Sequence, residues 1–140
     1  MAWLQSRGYV IHAFDTAEWK VESKMHDALQ ATLSFPAWYG KYLNALNDCM
    51  WEDLVVPENG GLTLVLSRYD HFVRTMQAGN HASAEIVLDI FARAIRYHSL
   101  LGKRLLVLVQ SDDPKIQFGR LGGISATWNL REWLNQNRGL

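Results

Sequence analysis

Two short runs of almost entirely apolar residues limit the possible folds more than any other feature of this chain. Leu62–Leu66 reads LTLVL and Leu105–Val109 reads LLVLV. A strand with one face in water alternates apolar and polar residues, whereas an uninterrupted apolar run indicates a strand buried on both faces. Strands of this kind occur in parallel sheets that are covered by helices. A shorter β-type run, Tyr9–Phe14 (YVIHAF), precedes them. We therefore predict an α/β fold with a small, three-stranded parallel sheet.

Helical periodicity fills the segments between these runs, which is the alternation that a parallel sheet requires. Phe35-Pro36 interrupts the first helical segment, because a residue before proline is pushed out of helical geometry. Gly102 is a typical helix stop. The predicted helices are Ala17–Leu33 capped by Thr16, one beginning near Gly40 or Lys41, a short one capped by Asp70, and a long one from His81 or Ser83 to about Leu100.

The last thirty or so residues are less regular, and we predict two regions within one compact unit. Residues 1–110 form the α/β domain, and residues 111–140 form a C-terminal extension packed on the same domain. Ile116–Trp128 contains glycines and is predicted to add an edge strand or hairpin. Asn129 is a suitable N-cap for a short closing helix. The simplest role for such an extension is to cover an edge of the sheet.

Composition excludes several classes of protein. The chain has 140 residues, which fits one domain, and its single cysteine, Cys49, permits neither an internal disulfide nor a cysteine-rich zinc site. The first residues, MAWLQSRGYVIHAF, lack the pattern of a signal peptide, and no apolar run approaches the roughly 20 residues that span a bilayer. We expect a cytoplasmic protein that is monomeric when free, needs no cofactor or metal and does not bind membranes.

Charge is unevenly distributed although the net charge is zero. Residues 1–92 contain six Lys/Arg and eleven Asp/Glu, whereas residues 93–140 contain eight Lys/Arg and three Asp/Glu. An acidic first part would attract a basic partner and repel nucleic acid. A basic C-terminal part would do the reverse, so charge alone does not decide between the two.

The stretch FPAWYGKYLNALNDCMW, Phe35 to Trp51, places several aromatic residues next to a helix that has one polar face. On a helical wheel Leu43, Leu46 and Met50 share the buried side, with Tyr42 and Cys49 at its border. Asn44, Asp48 and Glu52 stand at i, i+4 and i+8 on the opposite side. Solvated polar residues are common on outer helix faces, but Trp51 on the same side is more typical of a protein interface.

This stretch resembles the barstar family of ribonuclease inhibitors, whose members carry a proline, two aromatics and a glycine before a helix with Leu, an acid, Ala, Leu, an aromatic and Asp. About sixteen residues match in order, and a looser match extends over roughly residues 8–110. The resemblance implies a three-stranded parallel sheet packed by helices. It also implies a cytoplasmic bacterial inhibitor, an antitoxin or immunity protein, whose partner is a small basic ribonuclease or a ribonuclease toxin domain.

The resemblance also implies roles for individual residues. Asp48 matches the family's central aspartate, which mimics a substrate phosphate in the nuclease active site. Tyr39 and Gly40 match loop positions that touch the nuclease, and Trp38 precedes them in the same loop. Three positions depart from the founding member: Asn44 replaces a second Asp, Asn47 replaces an interface tryptophan, and Arg93 replaces a contacting Glu. The implied nuclease-binding set is Trp38, Tyr39, Gly40, Asn44, Asn47, Asp48, Trp51, Glu52 and Arg93.

Two other functional classes remain open from the residues alone. An enzyme would need catalytic groups, but the five histidines lie neither in a metal-ligand spacing nor beside a nucleophile motif. A nucleic-acid-binding or general interaction module would use the basic C-terminal part, but no recognised nucleic-acid motif accompanies those charges. A pocket joining Asp48 to a histidine would favour the enzyme, and salt-dependent RNA binding would favour the second class.

Overall fold

The computed structural model describes residues 1–77, 83–123, 125–127 and 129, and a parallel sheet lies at its centre. Strands β1 (Tyr9–Asp15), β2 (Gly61–Ser67) and β3 (Leu105–Val109) lie in the order β1-β2-β3. Both pairings are parallel, with Tyr9 opposite Gly61 and Leu62 opposite Leu105. The central strand β2 is the most buried of the three, as its apolar run predicts. The predicted α/β class is confirmed.

Five α-helices cover the sheet in the described part of the chain. They are α1 (Ala2–Ser6), α2 (Glu22–Leu33), α3 (Leu43–Glu52), α4 (Tyr69–Gln77) and α5 (Ser83–Leu100). The short α1, none of whose residues is buried, was not predicted, because it has no apolar stripe. Gly102, with φ of +72°, follows α5 as expected of a helix stop. None of the described helices is long and apolar enough to cross a membrane.

The helix predicted over Ala17–Leu33 begins later, at Glu22. Its predicted first turn is a separate 3-10 turn, Thr16–Glu18. Trp19 follows this turn and is buried, with its ring in edge contact with Phe72 at a centroid distance of 5.2 Å. The chain leaves helical geometry where it places this large side chain in the core. The periodic pattern alone therefore predicted a start for α2 that is too early.

Two of the predicted helix caps have other partners. The hydroxyl of Thr16 donates to the carbonyl of Ser67 at 3.0 Å, which ties the ends of β1 and β2 together. Asp15 instead accepts the backbone N–H two residues further on. Asp70 lies inside α4, and its Oδ1 accepts the N–H of Asp112 at 2.9 Å. Both side chains therefore join neighbouring segments at the carboxyl edge of the sheet.

The described part of the extension adds no strand to the sheet. Residues 111–123, 125–127 and 129 contain no helix or strand, although Ile116 is buried and Phe118 and Leu121 pack against the core. The segment instead crosses α5, where carboxylates accept its backbone N–H groups. Trp128 and the helix predicted after Asn129 lie outside the described residues.

Candidate protein-binding surface

The loop before α3 is held firmly against α2. The side-chain amide of Gln30 donates to the carbonyl of Pro36 at 3.1 Å, and the ammonium of Lys41 forms an ion pair with Asp27 at 2.8 Å. This ion pair lowers the pKa of the Asp27 carboxyl. Lys41 has a left-handed φ of +53°, which turns the chain into α3. The loop therefore has one defined path, and its exposed side chains project from a fixed backbone.

Tyr39 was predicted to touch a nuclease, but the structure buries it beneath the loop with 4% of its surface exposed. Its hydroxyl hydrogen-bonds Nδ1 of the buried His26, whose Nε2 lies 3.4 Å from the carboxylate of Glu22. A carboxylate only accepts, so Nε2 carries the proton and Nδ1 accepts from the Tyr39 hydroxyl. Burial lowers the pKa of His26 and raises the pKa of Tyr39, so both rings are neutral near pH 7.

Two aromatic side chains project from the loop around Gly40. Trp38 is 69% exposed, in agreement with its predicted position on the surface. Tyr42, which was placed at the border of the buried face, is 56% exposed. A Cβ on Gly40 would lie 2.2 Å from the Tyr42 ring, so glycine allows this ring to pack over the backbone. Tyr42 has extended backbone geometry before the first turn, where helical periodicity gives no information.

The outer face of α3 is polar and exposed, as predicted. Asn44, Asp48 and Glu52 are all exposed on this side. No described residue donates a hydrogen bond to the Asp48 carboxylate or forms an ion pair with it. The opposite side enters the core through Ala45, Leu46, Cys49 and Met50. This anchoring makes α3 a rigid support for the exposed carboxylates.

Cys49 belongs to that buried side and is fully inaccessible. Burial, reinforced by the nearby carboxylates of Asp53 and Asp48, raises the pKa of its thiol to about 12. A thiol with such a pKa carries almost no thiolate near pH 7, so it has neither the charge nor the access of a nucleophile. Its role is packing.

Helices α3 and α5 form one continuous outer surface. The rings of Trp51 and Tyr97 stack with centroids 4.7 Å apart and an angle of 14° between planes. Each helix precedes a strand of the same parallel sheet along the chain. Asn47 lies one turn before Trp51 on α3, and Arg93 lies one turn before Tyr97 on α5. Sequence reasoning missed Tyr97, although it follows Arg93 at i+4.

The two arginines of α5 already have partners inside the protein. The Nε of Arg93 lies 2.8 Å from the carboxylate of Asp89, and the side chain remains 59% exposed. Arg96 donates to the carbonyl of Gly122 at 2.5 Å. These contacts reduce the number of free cations available for a nucleic-acid-binding patch on this helix.

The described residues do not assemble an active site around Asp48. A cavity of about 400 Å³ lies between α5, β3 and the extension, and its lining residues include neither Asp48 nor a histidine. His71 lies with Asp70 and Asp112 in a group whose ligand-type atoms are within 4.8 Å of one another. Existing contacts already use this group. Nε2 of His71 hydrogen-bonds Asp112 at 3.2 Å, and Arg74 forms an ion pair with Asp70 at 2.7 Å.

Comparison with known proteins gives one family match. The profile of a family described as Barstar (barnase inhibitor) matches residues 9–110. No curated protein matches the chain. The matched span begins with β1 and includes the loop, α3 and Arg93. It ends one residue after β3, so the extension lies outside it.

Proposed function

The chain belongs to the barstar family, whose members bind barnase-like ribonucleases, and we propose that it inhibits such a ribonuclease by blocking its active site. Membership of this family supports a role like that of a barnase inhibitor. The exposed side of the loop and α3 supplies the residues that would make the contact. The blocking element is the loop and helix formed by residues 38–52.

The observation that carries this proposal is the exposed Asp48 carboxylate, which has no described internal partner. A ribonuclease active site is a basic cleft that binds phosphate. A carboxylate on a rigid helix can replace the phosphate and accept charge-assisted hydrogen bonds from Arg, Lys and His. Because no described residue pairs with this carboxylate, binding would break no ion pair within the described part of the chain.

Exposed aromatics precede and follow Asp48 along the chain and complete the proposed contact. Trp38 and Tyr42 project from the loop, and Trp51 stands near the end of α3. Aromatic side chains of this kind exclude water from charged contacts and dominate many interfaces. Gly40, Asn44, Asn47, Glu52 and Arg93 form the periphery, where differences from the founding member would select a different ribonuclease. Tyr39 contributes by supporting the loop from below.

An inhibition assay tests the proposal directly. RNA hydrolysis by a panel of small basic ribonucleases is titrated with the wild type, with Asp48→Ala and with Glu58→Ala, an exposed acid outside α3. Losing one side of a desolvated charged pair costs about 2–5 kcal/mol. Asp48→Ala should therefore inhibit roughly thirty-fold less tightly or worse, whereas Glu58→Ala should match the wild type. Equal inhibition by all three would show that α3 is not the inhibitory face.

We also propose the oligomeric state of the free protein and the class of its partner. The partner is a small basic ribonuclease or a ribonuclease toxin domain, and the inhibitor is a cytoplasmic monomer before it binds. Sedimentation should give the mass of one 16.0 kDa chain when free and a one-to-one complex after mixing. Tight RNA binding in the absence of a protein partner would instead favour a nucleic-acid-binding role.

A further inference from the structure

Residues 119–123 of the extension lie along one side of α5 and bind it through their backbone. We call these residues the glycine strap. The N–H of Gly119 donates to the carboxylate of Glu85 at 2.7 Å, and the N–H of Gly122 donates to Asp89 at 2.7 Å. The carbonyl of Gly122 accepts from Arg96. The strap is thus bound at three charged positions of the helix.

Gly122 brings the strap so close to α5 that a side chain at this position would crowd the helix. Its φ is +57°, a value that favours glycine. A Cβ at this position would lie 3.1 Å from the Cβ of Ala92 and 3.3 Å from the backbone nitrogen of Arg93. The close approach places the Gly122 N–H within reach of the Asp89 carboxylate.

Asp89 connects the strap to Arg93. Its Oδ1 accepts from Gly122, and its Oδ2 lies 2.8 Å from the Nε of Arg93. A hydrogen bond to one oxygen and an ion pair to the other hold the orientation of the carboxylate. The oriented carboxylate in turn restrains the Arg93 side chain, which is long and has many rotamers. The Arg93 contact uses Nε, and the 59% exposed side chain leaves the Nη end of the guanidinium accessible.

We propose that the glycine strap is a positioning element that, through Asp89, holds Arg93 ready to bind a carboxylate of the ribonuclease. The Nη end of an arginine matches a carboxylate in a bidentate arrangement. The inference rests on the proposed function and assigns the extension a role in recognition in addition to the predicted cover for a sheet edge. The ribonuclease should carry an Asp or Glu opposite Arg93.

The first experiment examines the free protein by NMR. Exchange of the Arg93 Nε–H proton is measured in the wild type, in Gly122→Ala and in Asp89→Asn. Loss of the ion pair that restrains this group should speed the exchange about two- to fivefold in both variants. The control is Gly102→Ala, since Gly102 also has a positive φ but a Cβ there would meet nothing within 4 Å. Unchanged exchange in Gly122→Ala would overturn the positioning role.

The second experiment uses a ribonuclease of the panel that the wild type inhibits. Arg93→Gln and Gly122→Ala should each weaken inhibition about two- to tenfold, the cost of losing or re-ordering one long side chain. The double variant should be no weaker than Arg93→Gln, because both changes act through one contact. Additive effects, or full inhibition by Gly122→Ala, would refute the proposal. If the wild type inhibits no ribonuclease, the proposed function fails, and so does the proposed contact of Arg93 with a ribonuclease. The NMR result still decides whether the strap holds Arg93.

Discussion

Removing the single hydroxyl of Tyr39 should destabilise the protein far more than the size of the change suggests. Tyr39→Phe keeps the ring, which lies 5.3 Å from that of Phe35, and removes the donor to Nδ1 of His26. His26 is fully buried, and its proton is on Nε2 facing Glu22. The substitution therefore leaves a buried acceptor without its donor, which costs about 1–3 kcal/mol.

Urea unfolding monitored by tryptophan fluorescence measures this loss as a lower midpoint at unchanged slope. The matched control is Tyr42→Phe, which removes the same atom from a tyrosine that is 56% exposed and has no described hydrogen-bond partner for its hydroxyl. Its effect should stay within about 0.5 kcal/mol. If Tyr42→Phe and Tyr39→Phe cost the same, the buried tyrosine–histidine pair does not support the loop as described.

Four other predictions follow from the burial and contacts of single residues. Burial lowers the pKa of His26 below its ordinary value of 6.5, so the unfolded chain binds this proton more readily. Stability should therefore decrease as the pH falls from about 7 through 6.5 towards the lowered pKa, and unfolding of His26→Gln at the same pH values should lack this component. Cys49 should react with a thiol reagent only at the rate of unfolding, and rapid labelling of the native protein would contradict its burial. Leu46→Ala should cost about 2–5 kcal/mol, since Leu46 is fully buried in the α3 face. Trp51→Ala should lose about 0.5–1.5 kcal/mol from the stack with Tyr97 in addition to buried area, and a double-mutant cycle with Tyr97→Ala measures that coupling.

The sheet and the polar face of α3 could be predicted because both depend on periodic patterns. Leu62–Leu66 and Leu105–Val109 are apolar throughout, and they form the strands that the pattern indicates. Asn44 and Asp48 are one helical turn apart, so the buried Leu46 between them fixes which way they face. Predicting these elements required only the local sequence and the tendency of apolar surface to leave water.

The loop before α3 could not be predicted in the same way. Tyr39 and Tyr42 exchange their expected environments, because the left-handed backbone at Lys41 redirects the chain between them. No periodicity applies across such a turn. The path of the extension also has no periodic pattern, since Gly119 and Gly122 bind α5 through backbone N–H groups whose partners are distant carboxylates.

The parallel order of the sheet has a consequence for how the protein is made. Each strand pairs with one that is distant in sequence, Tyr9 with Gly61 and Leu62 with Leu105, so the sheet cannot close while the chain is short. Folds dominated by such distant contacts form slowly. A nascent chain that has reached Gly60 already carries Asp48 and the whole loop. It lacks β2, β3 and α5, including His98, whose Nε2 hydrogen-bonds the carbonyl of Met50 at 2.8 Å. We expect the inhibitory surface to become rigid only when synthesis is nearly complete. Premature termination after α3 should therefore yield a fragment that has Asp48 and the loop but does not inhibit.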